Sequence, residues 1–241
     1  MKVLALHTGA AREIAATGTG EWWDKDWRSG FVKSAQSGSV WLGYEGFSGD
    51  EQADRKHHGG VEKAVCVYPV EHYDYWHEHL PELALPHGAF GENLTTSGLL
   101  ESGVSVGDVY ELGEAIVQVS QPRQPCWKLA RRWKMKDLSA QVERTGFTGF
   151  YFRVLRHGHV AVGNELVLKD RPWPQWTLQR CNEIMHHQRQ DAESARQLAE
   201  CPALSGSWKD NLWRRGQAAG AGEAAAEAAR RAARLEGGGV A

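Results

Sequence analysis

The run Asp108-Val109-Tyr110-Glu111-Leu112-Gly113-Glu114-Ala115-Ile116-Val117-Gln118-Val119-Ser120-Gln121-Pro122-Arg123-Gln124-Pro125-Cys126 decides the fold. Residues 108–112 and 114–120 read as two strands joined near Gly113, a hairpin. Working outward, segments 2–7, 39–44 and 63–68 upstream and 149–155 and 164–168 downstream read the same way. Val40, Leu42 and Tyr44 share one face with a period of two, and Ala64, Cys66 and Tyr68 oppose Val65 and Val67. One helix interrupts the series: after Pro69, segment 70–80 places Tyr73, Trp76 and Leu80 at i, i+3 and i+7. Many short strands with few long helices predict a mainly β fold, a closed or nearly closed barrel, over residues 1–170.

Beyond Asp170 the composition changes. Arg171-Pro172-Trp173-Pro174 is a linker, and 177–187, 192–199 and 208–215 read as three short helices. The resulting unit, 175–215, is marginal alone at about 40 residues. It is expected to pack on the barrel or on a partner subunit. Residues 216–241 are Ala, Gly, Glu and Arg with almost no large apolar side chains, and disorder is expected there.

The chain has 241 residues, 41% hydrophobic, with a formal net charge of −2, which excludes a general attraction to nucleic acid or a bilayer. Any anion site must come from a local basic cluster. The apolar run at the N-terminus is too short for a signal peptide, and no window reaches the ~18–20 apolar residues of a membrane span. A cytoplasmic protein is expected. Cys66, Cys126, Cys181 and Cys201 show neither CxxC pairing nor zinc spacing and are read as free thiols. There is no GxGxxG, P-loop, HExxH or GxSxG motif.

Three patches carry chemistry. Arg123 and Lys128 flank Cys126, and nearby cations favour thiolate over thiol. Pro122 and Pro125 stiffen the loop at the strand end. In the second patch, residues 46–64, Gly59-Gly60 lets backbone amides approach a phosphate, with Arg55, Lys56, His58 and Lys63 adding charge. The third, residues 90–98, offers Glu92 and Asn93 either as pocket groups or as parts of a hydrogen-bonded turn.

Together the three resemble the MOSC family, in its YiiM-type branch. The correspondence runs through Ser29-Gly30-Phe31-Val32-Lys33, Gly49-Asp50, His58-Gly59-Gly60, Phe90-Gly91-Glu92-Asn93-Leu94, Gln118 to Cys126 and Thr148-Gly149-Phe150-Tyr151. Residues 175–215 resemble the three-helix unit that follows in that branch. Two departures stand out. Lys56 replaces the usual Arg two places before His-Gly-Gly, keeping the charge without the bidentate fork, and Glu62 stands where Asp is common.

The resemblance implies a β-barrel that binds a molybdenum cofactor of the molybdopterin form, with Cys126 as catalytic residue and thiolate ligand to molybdenum. Lys56, His58, Gly59, Gly60, Lys63, Arg123 and Lys128 become candidates to hold the cofactor phosphate, and Glu92 and Asn93 to meet the pterin or orient a proton donor. It implies reduction of N-hydroxylated compounds, including purine analogues, to amines. The chain lacks a flavin or nicotinamide motif, so electrons are expected from a separate reductase. A homodimer through the Trp-rich N-terminal segment or the three-helix unit is an expectation from the sequence itself. The competing readings are a sulfur carrier using a Cys126 persulfide and a non-catalytic phosphate-binding module.

Overall fold

The structure, a computed structural model, describes residues 1–217, 227, 228 and 230–232. Most of the tail expected to be disordered lies outside these residues, as does the side chain of Lys56. Thirteen strands are formed among the described residues: β1 (Lys2–Thr8), β2 (Arg12–Ile14), β3 (Trp27–Ser29), β4 (Ser34–Ala35), β5 (Val40–Gly43), β6 (Gly46–Phe47), β7 (Val65–Pro69), β8 (Leu94–Ser97), β9 (Val109–Leu112), β10 (Ala115–Pro122), β11 (Phe150–Arg156), β12 (Gly158–Val160) and β13 (Leu166–Asp170). Eight make one sheet in the order β13-β9-β10-β11-β7-β8-β1-β4. Its pairings are antiparallel except β7 with β8.

The predicted hairpin is β9–β10, in register from Ala115 opposite Leu112 to Gln118 opposite Val109. Gly113 turns it at φ +56°, and a Cβ there would lie 2.6 Å from the His159 carbonyl oxygen. The sheet curls into a half-barrel. The Val3 amide donates to the Asn164 carbonyl (2.9 Å), and the Leu166 amide to that of Met1 (3.0 Å), so its two ends meet. The mainly β architecture with a small C-terminal helical part is therefore what the chain forms.

Among the described residues seven α-helices are named: α1 (Arg55–His58), α2 (Glu71–His79), α3 (Trp127–Trp133), α4 (Leu138–Thr145), α5 (Leu178–Asn182), α6 (Ala192–Ala199) and α7 (Gly206–Gln217). α3 and α4 were not anticipated. Neither was the β2–β3 hairpin or the small sheet β12-β5-β6. The strand expected from residue 63 begins at Val65, because Val61–Lys63 is a 3-10 turn.

Alternate side chains of the strands fill the barrel: Val3, Leu6, Val65, Val67, Val117, Val119, Phe150 and Phe152 are buried. The same core continues without a break into Leu178, Ile184, Leu198, Leu204, Trp208 and Leu212 of the C-terminal helices. Those helices pack on the barrel, pinned by hydrogen bonds from the Leu178 amide to the Val104 carbonyl (2.8 Å) and from the Ser205 amide to the Ser120 carbonyl (3.0 Å). A second cluster joins Tyr73 and Trp76 of α2 to Tyr68, Phe90, Leu129, Leu138 and Val142, and so holds α3 and α4 against the sheet. Among the described residues no helix is long and apolar enough to cross a membrane.

Candidate functional site

β10 carries the reactive loop out of the sheet. Past Pro122, the Arg123 amide still donates to the Gly149 carbonyl (3.0 Å), and four residues later α3 begins. Cys126 is the residue before that helix, extended at φ −130° and ψ 169°. Its carbonyl accepts from Ser139 Oγ of α4 at 2.7 Å and from the Leu129 amide at 3.2 Å. The sulfur is therefore held from both sides by helices anchored in the second apolar cluster. The residue is only 6% exposed.

Cys126 stands where two spaces meet. One is a cleft of about 530 Å³ between the barrel and the C-terminal helices. The other is a narrow chamber of about 60 Å³ within the barrel side. His58, Lys63, Gln124 and Tyr151 border both, with Cys126.

The histidine loop is built by its own short polar contacts. Asp54 caps the single turn of α1, its carboxylate accepting from the His57 amide at 3.1 Å and meeting His57 Nδ1 at 2.8 Å. Gly60 sits at φ +86° and ψ 171°, a region that is essentially glycine's alone. A Cβ on Gly59 would come 2.9 Å from Gln52 Oε1. Lys63 Nζ folds back onto the His57 carbonyl (2.7 Å). The loop is tied to the rest by Glu62, which pairs with Arg153 Nη2 (3.0 Å) and accepts from the Gly206 amide at the start of α7 (2.9 Å).

The electrostatics single out one thiol. Burial pushes Cys126 up, but the charge and hydrogen bond of His58, then Arg123 and Lys128, outweigh it and bring it down to about 6. Burial sends Cys66, in the same chamber, the other way, to about 11. Burial and the neighbouring Cys66 and Cys126 likewise push the Tyr151 phenol up. Burial works against the Arg123 guanidinium, yet Cys66, Tyr151 and Cys126 around it hold it firmly protonated. Arg123 is 5% exposed, and its Nη1 is buried without a hydrogen-bond partner among the described residues. Burial holds the Lys63 ammonium below the usual lysine range, against the pull of Glu62 and Asp54.

The residues singled out in the sequence fall into three groups. His58, Lys63, Arg123, Lys128 and Asn93 line the narrow chamber with Cys126. Gly59 and Gly60 shape the turn behind His58. Glu92 is fully buried, its carboxylate accepting from Tyr73 Oη (2.6 Å), the Gly88 amide (2.7 Å), Thr95 Oγ1 (2.9 Å) and the Phe90 amide (3.1 Å). It is the knot of the 88–92 turn. The Asn93 side-chain amide, although at the chamber wall, accepts from the Cys66 amide (3.0 Å) and donates to the His7 carbonyl (3.2 Å), stitching β7 towards β1.

Several lining residues were not singled out. Tyr151 and Cys66 looked like ordinary strand residues. Lys33 and Asp50 form a buried ion pair on the chamber wall, and the Asp50 carboxylate also accepts from the Gly9 amide at 2.9 Å. Their only signal was membership of the blocks carrying the family resemblance. Among the described residues no group of three or more His, Cys, Asp and Glu side chains is placed to hold a metal ion. A metal bound at Cys126 must therefore bring most of its ligands with it.

Two family models match: MOSC domain over residues 54–167 and YiiM-like, 3-alpha helix domain over residues 176–215. Protein YiiM of Escherichia coli (strain K12) is 39% identical over 189 residues, which is 78% of this chain and 84% of that protein. The crystal structure of YiiM from Geobacillus stearothermophilus superimposes with a TM-score of 0.75 at 36% identity, covering 89% of this chain and 98% of that one. A protein of Gibberella moniliformis (strain M3125 / FGSC 7600) named Reductase is 37% identical over 179 residues, 73% of this chain but 31% of that protein.

Proposed function

The chain belongs to the MOSC family, in its YiiM-like branch, and on that premise we propose that it is a molybdenum-cofactor-dependent reductase of N-hydroxylated compounds. The family is associated with the cofactor, and a reductase-named relative points to oxidoreductase chemistry. N-hydroxylated purine analogues are the model substrates, and a separate reductase supplies the electrons. The observation that carries this reading is Cys126, a thiol held at about 6 at the junction of a cleft and a basic chamber.

The residues present fit the cofactor. A lowered thiol is ionised at neutral pH and is a soft ligand suited to a sulfur-rich metal. The orphaned Arg123 Nη1, with Lys128 and Lys63 around it, supplies donors for a phosphate in a chamber large enough for a small headgroup. The cleft falls within the ~300–1,000 Å³ usual for cofactor and ligand sites. Cys126 would hold the metal, and Arg123, Lys128 and Lys63 the phosphate.

The net reaction breaks the N–O bond of R–NH–OH and takes up two electrons and two protons, giving R–NH2 and water. When bound, the cofactor supplies the two-electron step. The protein's own groups do the rest. His58 keeps the Cys126 sulfur anionic through its hydrogen bond. Lys63 and His58 also line the cleft, beside the sulfur. α3 and α4 fix the sulfur, so that substrate meets a preorganised site.

The test is purification from cells that make the cofactor, followed by assay of molybdenum and of reduction of an N-hydroxylated purine with an artificial electron donor. Both are expected in the wild type and lost in Cys126→Ala. Metal-free, inactive protein from cells that load another molybdoenzyme would overturn the reading. A low-pKa thiol also suits a sulfur carrier. A labile added sulfur on Cys126 without bound pterin, seen by mass spectrometry, would decide for that alternative.

A further inference from the structure

Positive charge lines both of the spaces that meet at Cys126. Arg123 and Lys128 lie in the narrow chamber on the barrel side. Across the cleft, Arg189, Arg214, Arg230 and Arg231 line the wall formed by the C-terminal helices. Asp210 and Glu227 stand on the same wall; Arg230 pairs with Glu227 (3.3 Å) and Arg231 with Glu143 (2.6 Å). One cofactor phosphate accounts for one cluster. In the second, Arg214 carries no ion pair among the described residues and is the group left for another anion.

The far cluster is built from anchored side chains. Arg214 is fixed through Nε to the Asp210 carbonyl (2.9 Å), and its two Nη groups meet no hydrogen-bond partner among the described residues. Arg231 is fixed through Nε to the buried carboxylate of Glu143 (2.6 Å). An arginine tethered at Nε keeps the outer part of its planar fork for a phosphate.

The cleft also has an aromatic surface. Trp127, the residue after Cys126, is half-buried and lines the cleft. Arg131 packs over its ring at 4.2 Å, and Trp27 lies against it with ring centroids 5.5 Å apart. A ring supported in this way offers its remaining surface to a flat base beside the reacting sulfur.

We propose that the substrate is an N-hydroxylated purine nucleoside monophosphate rather than the free base: the base lies against Trp127, and its phosphate reaches the arginines of the C-terminal helices. This rests on the reductase reading above and adds the class of substrate. It gives the helical unit a task, selecting for the 5′-phosphate, that the barrel does not perform.

Two measurements test it. In calorimetric titration of the metal-free protein, adenosine monophosphate should bind at least tenfold more tightly than adenosine. Arg214→Ala and, separately, Arg230→Ala should remove most of that difference. In the loaded enzyme, kcat/KM for the N-hydroxylated nucleotide should exceed that for the N-hydroxylated base. Arg214→Ala should lower that ratio about tenfold, chiefly through KM, with molybdenum content at the wild-type level. Equal binding of nucleotide and nucleoside would overturn the proposal. So would a loss of molybdenum in Arg214→Ala, which would give these arginines to the cofactor. A loaded enzyme that reduces no N-hydroxylated compound would sink the reductase reading instead, while the adenosine monophosphate titration would still decide whether the phosphate site exists.

Discussion

Cys126 shows how far a residue can be read from its neighbours. Arg123 and Lys128 already marked it as a favoured thiolate, but the largest lowering influence, His58, is 68 positions earlier in the chain and came beside it only through the fold. The consequence is measurable. In the metal-free protein, alkylation of Cys126 should follow an apparent pKa of about 6, against about 8.5 for a free thiol. Cys66, at about 11, should stay unmodified at neutral pH. His58→Ala should move the Cys126 midpoint upward, read by mass spectrometry of the alkylated peptide across pH 5–9. The same shift enters stability. An acid whose folded pKa is depressed stabilises the native state fully above the unfolded pKa, and that contribution fades as pH falls through about 6. Glu92 and Asn93 illustrate the opposite case. An acid next to an amide in a Gly-rich segment reads equally well as a binding pair or a turn, and what decides is the four donors that converge on Glu92. Glu92→Ala leaves these donors unsatisfied in the interior and should cost about 3 kcal/mol or more in urea unfolding. A loss below about 1 kcal/mol would show that the carboxylate does not hold the turn.

Strands were legible where alternation was long enough to register, as in β9–β10, whose two-residue turn sits at the predicted glycine. α3 was not legible because it spans seven residues and starts from Cys126, which makes no side-chain cap. Ser, Thr, Asp or Asn would have announced it. What places that helix is tertiary: Leu129 buried in the second cluster and the Gly149 carbonyl holding the Arg123 amide upstream. Gly149 is the element-level test of this argument. It lies at φ +67°, and a Cβ would come 2.3 Å from the Val67 carbonyl oxygen, so β11 and β7 cannot keep their spacing with any other residue there. Gly149→Ala combines left-handed strain with that clash and should cost about 2–4 kcal/mol. Because the same peptide anchors Arg123, the variant should also retain less molybdenum per folded chain. Loss of stability with full metal retention would separate the two roles.

At the scale of the molecule, the barrel and the C-terminal helices are two sequence textures but one core. The change of composition places a boundary near the Pro-rich linker but leaves open whether the helices pack on the barrel or on a partner, since the decisive contacts join distant positions. Ser205 Oγ, for example, donates to Gln121 Oε1 (2.7 Å) across 84 residues of sequence, at the end of the strand that leads to Cys126. For the same reason the second wall of the cleft was invisible beforehand. A unit of about 40 residues buries too little surface to fold alone. Here Leu204, Trp208 and Leu212 share the apolar cluster of Val117 and Val119, so neither part should melt separately. Trp208, 1% exposed, is the place to test this. Trp208→Ala should destabilise the whole chain by about 3–5 kcal/mol. Far-UV circular dichroism, dominated by the secondary structure of both parts, and tryptophan fluorescence should then report one coincident transition at a lower midpoint. A barrel transition left at its wild-type midpoint after an earlier loss of helix would mean that the helices are an appendage rather than part of the core. It would also mean that the cleft opens without unfolding the site, and the arginine wall could no longer be treated as a fixed surface facing Cys126.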